Sequence, residues 1–357
     1  MSKSDSRAIS KEFISDLLDK NNILNYILEK YIKDATKDLI LCFRGNGKEE
    51  KIILYRNNHV FWQIKKQSES YRLELNFDHA KFSKDFWNTL GVLQKIKIGS
   101  KIDVNKTKTN TLGTQRRFGY IGGRIDNFKY EDIDKLYDCT NTVLNDYFNQ
   151  DKKTNYFLIE GIDKSKKIYL EKIIQQKIFQ SLDRPCDGNG YLIYDLEFTP
   201  PKADVDSDEG AKNKNKPDFF AVRYENNALR GLVVGEIKST RDAMNGNSGL
   251  IDHLTKMKKD IKKYNSNSIR RKETIDILKE YAILGYRGLD DDIDTNIELN
   301  FDEILIVLTD DAIKAYTDSK ADKEGHTYEE TINQFKKTNK DINVVVKKFV
   351  DSKLEDI

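Results

Sequence analysis

The stretch Lys216–Thr240, KPDFFAVRYENNALRGLVVGEIKST, decides how the second half of this chain folds. Asp218–Tyr224 and Gly231–Lys238 are rich in β-branched and aromatic residues, and Glu225-Asn226-Asn227 opens a turn between them, which predicts a β-hairpin. Strand side chains alternate faces, so Glu236 and Lys238 point one way and Ile237 the other. Leu232 and Val234 precede the charged pair on its face, which sets a carboxylate and an ammonium at the lip of a core. Charges there are costly to desolvate unless they are paired or hold a metal.

Working outward, Tyr191–Thr199 reads as a strand stopped by Pro200-Pro201, and the polar KADVDSDEGAKNKNK links it to the hairpin. Before it lie a short apolar strand, Tyr156–Ile159, and a helix, Ser165–Leu182, with Leu170, Ile174, Ile178 and Leu182 in one stripe. After the hairpin, a loop over Arg241–Gly249 leads to a helix over Leu250–Tyr264. Its inner face is Leu250, Leu254, Met257 and Ile261; His253, Lys256, Lys258, Lys259, Lys262 and Lys263 lie on the other side. Arg270, Arg271 and Lys272 begin a second helix reaching Tyr281. Glu303–Thr309 (EILIVLT) is the continuous apolar run of a central strand, followed by a helix over Thr327–Lys337 and a strand over Ile342–Phe349. The return from the helices to Glu303–Thr309 needs a crossover, so an α/β domain with a mixed, partly parallel sheet is expected.

Asp218 opens one strand of the hairpin and Glu236-Ile237-Lys238 closes the other, so the two carboxylates converge at one end of the sheet. Carboxylates a few ångströms apart repel, which raises a pKa or recruits a divalent cation. Oxygen ligands suit Mg²⁺ or Mn²⁺, and a lysine alongside can orient water and offset charge in a transition state. Glu171, on the preceding helix, is the candidate for a third carboxylate, with Glu160, Asp195 and Glu197 as alternatives.

Pro217-Asp218 followed by Glu236-Ile237-Lys238 resembles the signature of the PD-(D/E)xK nuclease superfamily. The resemblance covers roughly residues 155–310 and implies an αβββαβ, restriction-endonuclease-like core. It implies Asp218, Glu236, the Ile237 carbonyl and Glu171 as metal ligands, with Lys238 activating water. It further implies a Mg²⁺-dependent deoxyribonuclease, with Mn²⁺ able to serve, cutting as an endonuclease. Members of this layout are often restriction or anti-phage defence effectors, Shedu-like nucleases among them. The expected partners are DNA, with RNA left open, and further copies of the chain in a homo-oligomer. The competing reading is a catalytically inactive nucleic-acid-binding or assembly module on the same fold.

Residues 1–150 read as a separate α+β domain for sensing, binding or assembly. Apolar residues at helical spacing over Lys11–Lys33 predict helices broken at Asn21-Asn22. Leu39–Arg44, Lys51–Tyr55, Val60–Lys65 and Tyr71–Asn76 predict an antiparallel meander. Lys81–Leu90 reads as a helix, Gly91–Ile98 as a strand and Tyr130–Phe148 as a helix; Lys101–Arg124 reads as a basic loop. The polar run Asn149–Lys153 is the expected boundary, with 151–357 as the nuclease-like domain. Arg116 and Arg117 in that loop, with Lys256, Lys259, Arg270 and Arg271, are the candidate phosphate contacts.

Net charge is only +2 despite 34% charged residues, so a polyanion partner must be argued from local patches. Cys42, Cys139 and Cys186 are widely spaced, which suits a reducing cytoplasm and argues against zinc. No apolar run approaches the ~20 residues that span a bilayer, and no signal peptide is evident, so no membrane association is expected. Four scattered histidines without HExxH and a Gly45-Asn46-Gly47 lacking a following Lys-Ser/Thr exclude a zinc hydrolase and a Walker loop.

Overall fold

A computed structural model describes residues 7–45, 49–56, 59–68, 70–76, 107–109, 115–117, 120–125, 128–148, 174–182, 189–196, 217–226, 228–245, 249–266, 268–289, 299–309, 311–321, 325–351 and 353–357. The chain divides into one unit of Met1–Ile173 with Glu280–Leu289, and a second of Ile174–Lys279 with Asp290–Ile357. The expected boundary at Asn149–Lys153 lies outside the described residues, as do Lys81–Leu90, Gly91–Ile98, Tyr156–Ile159 and the linker before Pro217. No helix among the described residues is long and apolar enough to cross a membrane.

In the first unit, α1 (Lys11–Leu18) starts at Ser10, whose hydroxyl accepts from the Phe13 N–H at 3.3 Å. Asn22 caps α2 (Ile23–Ile27) in the same way, accepting from Leu24 N–H at 3.0 Å, so the asparagines that break the helix also begin the next. A π-helical turn, Leu28–Ile32, follows. The strands β1 (Ile40–Gly45), β2 (Glu50–Arg56), β3 (His59–Gln67), β4 (Ser70–Asn76) and β7 (Tyr120–Arg124) form an antiparallel sheet in that order. The helix α3 (Tyr130–Phe148) brings Tyr137 into the aromatic group of Tyr31, Phe61 and Trp62, its ring stacked 4.4 Å from Tyr31. Tyr281 and Tyr286 join this unit through Leu41, the first donating to its carbonyl at 2.6 Å and the second accepting from its N–H at 2.9 Å.

The segment expected to be a basic loop differs. β5 (Thr107–Thr109) and β6 (Gln115–Arg117) form an antiparallel ribbon, and Tyr120–Arg124 is a sheet strand. Threonines flanking Lys108 favour extended backbone, and that preference outweighs the polar composition.

The second unit is a six-stranded mixed sheet. Its order is β13 (Lys353–Asp356), β12 (Asn343–Val350), β11 (Phe301–Thr309), β10 (Ala228–Lys238), β9 (Phe219–Glu225) and β8 (Gly190–Leu196). β10, β11 and β12 are parallel neighbours and the rest pair antiparallel, so the expected mixed α/β sheet is present. The helices are α4 (174–182), α5 (Leu250–Ser266), α6 (Ser268–Ile283, its last turn counted with the first unit), α7 (Asp311–Asp318) and α8 (Tyr328–Thr338). The sequence reading lacked α7 and β13, both short and polar on one side. α8 begins with a capping box in which Thr327 and Glu330 satisfy each other's backbone N–H groups.

At the start of β11 the sheet buries a carboxylate and gives both of its oxygens partners. Glu303, 1% exposed, accepts from Tyr191 at 2.7 Å, Arg223 at 2.9 Å and Asn343 at 2.9 Å. Arg223 also bridges Asp302 at 3.0 Å. Burial, with the Glu303 charge beside it, drives the Tyr191 phenol well above its usual range.

Candidate active site on the β9–β10 hairpin

Why the hairpin ends as it does follows from Gly235. A Cβ there would meet ring carbons of Phe219 at 2.1–2.3 Å, so only glycine lets the Phe219 ring lie across β10. That ring packs edge-on against Phe179 of α4 at 5.7 Å, fixing the helix over the hairpin. β10 has β9 on one side and β11 on the other, and α5 packs on β10 and β11, so Gly231–Ser239 is buried throughout.

Asp218 stands one residue before β9, and the register Gly235↔Phe219 carried one step outward puts it opposite Glu236. It has left the ladder. Its N–H donates to the Gly235 carbonyl at 3.0 Å, and its carboxylate Oδ2 accepts from the Ile237 N–H at 2.7 Å. The carboxylate thus supplies the acceptor that a strand carbonyl would otherwise give to β10, and its orientation is fixed by the backbone of Glu236-Ile237-Lys238.

Glu236 and Lys238 share a face, as the alternation predicts, with Lys238 Nζ 2.8 Å from Glu236 Oε1. The lip of a core was too shallow a placement: their side chains are only 3% and 6% exposed. The parallel partner β11 covers the end of β10, which a hairpin considered alone cannot show. Ile237 is buried on the opposite side.

His253 completes the group. It sits in the first turn of α5 with Nδ1 2.6 Å from Glu236 Oε1, at ion-pair distance but off the line of an aligned hydrogen bond. Grouping it with the solvated lysines was wrong. His253 lies three residues after Leu250 and four before Met257, both fully buried, and that spacing is the signal that puts it beside the inner stripe.

One atom of this group bears on ligand binding. Lys238 Nζ and His253 Nδ1 both lie at Oε1, while Glu236 Oε2 is buried without a hydrogen-bond partner among the described residues. An unsatisfied buried acceptor costs about 1–3 kcal/mol, more if charged, so the arrangement favours a further positive group there. A divalent cation fits this donor set: Glu236 Oε2, the opposed Asp218 carboxylate and the adjoining Ile237 carbonyl are all hard oxygens. Among the described residues no three His, Cys, Asp or Glu side chains are grouped to hold a metal by themselves. Glu171, Glu160 and Glu197 lie outside the described residues. Asp195 is buried in β8 and its Oδ1 accepts from Leu196 N–H at 2.8 Å.

The basic candidates are not one surface of one unit. Arg116 and Arg117 lie on β6 of the first unit, the others on α5 and α6 in the second. Lys259 is exposed, Lys256 pairs with Asp252 at 2.6 Å, and Arg271 donates to Asn300 at 3.0 Å. Arg270 takes its place in the first turn of α6.

Comparison with known proteins finds no family model, no curated protein and no solved structure that matches the chain.

Proposed function

We propose that the second unit is a divalent-metal-dependent nuclease of the PD-(D/E)xK type acting on DNA, with the hairpin end as its active site. The observation that carries the reading is the lopsided Glu236 carboxylate, one oxygen contacted by Lys238 and His253 and the other buried without a hydrogen-bond partner among the described residues. Helix 174–182, β8, β9, β10, α5 and β11 follow the αβββαβ order that the superfamily resemblance implies. Asp218, Glu236 and the Ile237 carbonyl would hold Mg²⁺ or Mn²⁺, and Glu171 would add a ligand from the preceding helix. The cation would supply Lewis-acid stabilisation of charge developing on a scissile phosphate. Lys238 lies at the same carboxylate, where its ammonium would orient a nucleophile and offset negative charge developing in the transition state. The resemblance would make the protein a restriction or anti-phage defence effector, with the first unit serving binding or homo-oligomeric assembly.

A non-catalytic nucleic-acid-binding module would use Glu236–Lys238 only as a buried structural pair. The unsatisfied Oε2 weighs against it, since a structural pair gains by spreading donors over both oxygens.

Asp218→Asn is the discriminating variant. Asparagine Oδ1 can still accept from the Ile237 N–H, so hairpin geometry survives while the ligand charge is lost. On plasmid, linear duplex, single-stranded DNA and RNA, the wild type should cleave one class with Mg²⁺ or Mn²⁺ and stop on chelation. Asp218→Asn should fall to background at unchanged stability. Equal cleavage by the variant, or cleavage indifferent to chelator, removes the proposal.

A further inference from the structure

We infer that His253 is a positioning residue of this site: its ring occupies Glu236 Oε1 together with Lys238, so that Oε2 is the oxygen presented to the cation. The inference rests on the nuclease reading and deepens it. A carboxylate can turn about its last bond, so a single lysine on a flexible stem does not fix the plane in which the second oxygen is presented. A second group on another element does. Lys238 comes from β10 and His253 from α5, and they reach the same oxygen at 2.8 and 2.6 Å. Rotating the carboxylate would break both contacts together.

The placement of His253 is itself rigid. Its N–H donates to the Gly249 carbonyl at 3.0 Å in the first turn of α5, beside the buried Leu250 and Leu254. Gly249 is confined as well: a Cβ there would come within 2.6 Å of Asn245 and Met244 backbone atoms. Backbone of Met244 and Asn245 therefore lies close against Gly249, directly before the turn of α5 that carries His253. The contact at Nδ1 is short but poorly aligned. A cation on Oε2 would hold the carboxylate in one orientation, and catalytic contacts that are poorly aligned in an unliganded site commonly tighten when it is loaded.

A carboxylate ligand oriented by its outer partners loses about 10–100-fold in metal affinity when one partner is removed. The test is Mn²⁺ titration calorimetry on the full-length protein, with His253→Leu, His253→Asn and Glu236→Gln beside the wild type. Asparagine carries an N–H at the position of Nδ1; leucine fills the space and donates nothing. His253→Leu should bind Mn²⁺ about 10–100-fold more weakly, and His253→Asn should stay within a few-fold of wild type. In cleavage, kcat should fall in His253→Leu with KM nearly unchanged, as expected for a residue acting through Glu236. Wild-type Mn²⁺ affinity in a folded His253→Leu overturns the inference while leaving the nuclease reading standing. So does equal loss in leucine and asparagine variants that unfold like wild type. No Mn²⁺ binding by the wild type, or equal binding by Glu236→Gln, overturns both, and the Glu236→Gln arm separates the two failures.

Discussion

Removing the Lys238 ammonium should unfold the second unit far more readily, and a divalent cation should reverse part of the loss. Lys238→Met keeps the stem and deletes the charge, leaving the Glu236 carboxylate, 3% exposed, without its ammonium partner. Breaking a buried ion pair from one side costs about 3–5 kcal/mol, because the remaining charge stays desolvated and uncompensated. At about 1.4 kcal/mol per factor of ten, hydrogen-exchange protection of the peptide carrying β10 should fall by roughly two to three and a half powers of ten. Replacing both partners, Glu236→Leu with Lys238→Met, removes the stranded charge and should recover most of the loss, since apolar replacements of buried pairs are about neutral or stabilising. Mn²⁺ at about 100 times its dissociation constant should return roughly 2.7 kcal/mol to Lys238→Met and nothing to the double variant. A loss under about 1 kcal/mol in Lys238→Met would show that the carboxylate is solvated or neutral and would refute the reasoning. Equal stabilisation of single and double variants by Mn²⁺ would place the cation elsewhere.

Two further predictions test the frame around the site. Gly235→Ala drives a methyl into the Phe219 ring and should cost about 1–3 kcal/mol in urea unfolding, with Phe219→Leu restoring much of it; a neutral Gly235→Ala would deny that the ring covers the strand. In the first unit, burial pushes the Asp134 carboxyl up, but hydrogen bonds from Lys30, Tyr26 and Tyr31 outweigh it and hold its pKa below the ordinary 3.8. A depressed folded pKa gives stability that is complete above the unfolded value and lost as pH falls through the folded one. Asp134→Asn should therefore cost on the order of 1 kcal/mol near neutral pH, a small figure because the ion pair with Lys30 is more than a third exposed. The urea midpoints of wild type and variant should converge in acid, and a gap constant with pH would show that the carboxylate charge contributes nothing.

How far the sequence could be read differs by residue, for physical reasons. Strand alternation placed Glu236 and Lys238 on one face and Ile237 on the other because that period is a property of the backbone and needs no neighbour. The asparagine break at Asn22 and the helices Tyr130–Phe148 and Leu250–Ser266 were legible in the same way, from caps and apolar spacing. Burial was not. Glu236 and Lys238 are enclosed by β11, which joins the sheet more than sixty residues later in the chain, and no local pattern carries that pairing. Arg223 and Glu303 illustrate the same limit: each looks like a surface charge in its own strand, and only the sheet brings them to 2.9 Å. The strands within Lys101–Arg124 were missed for the opposite reason, since polar composition masked a backbone preference set by threonine and paired residues.

His253 shows why the site itself was only half readable. Its helical position was evident, but a residue on the flank of an apolar stripe can turn to solvent or to the core, and the choice depends on what waits beneath it. Here a buried carboxylate waits, and Lys238 has already taken one of its oxygens. Were the trio only a way to bury charge, partners spread over both oxygens would leave neither unsatisfied. Here β10 and α5 instead bring both partners to Oε1. That placement leaves Oε2 of Glu236 without a hydrogen-bond partner among the described residues, and this, more than the presence of three polar residues, is what supports the proposal of a cation at this hairpin.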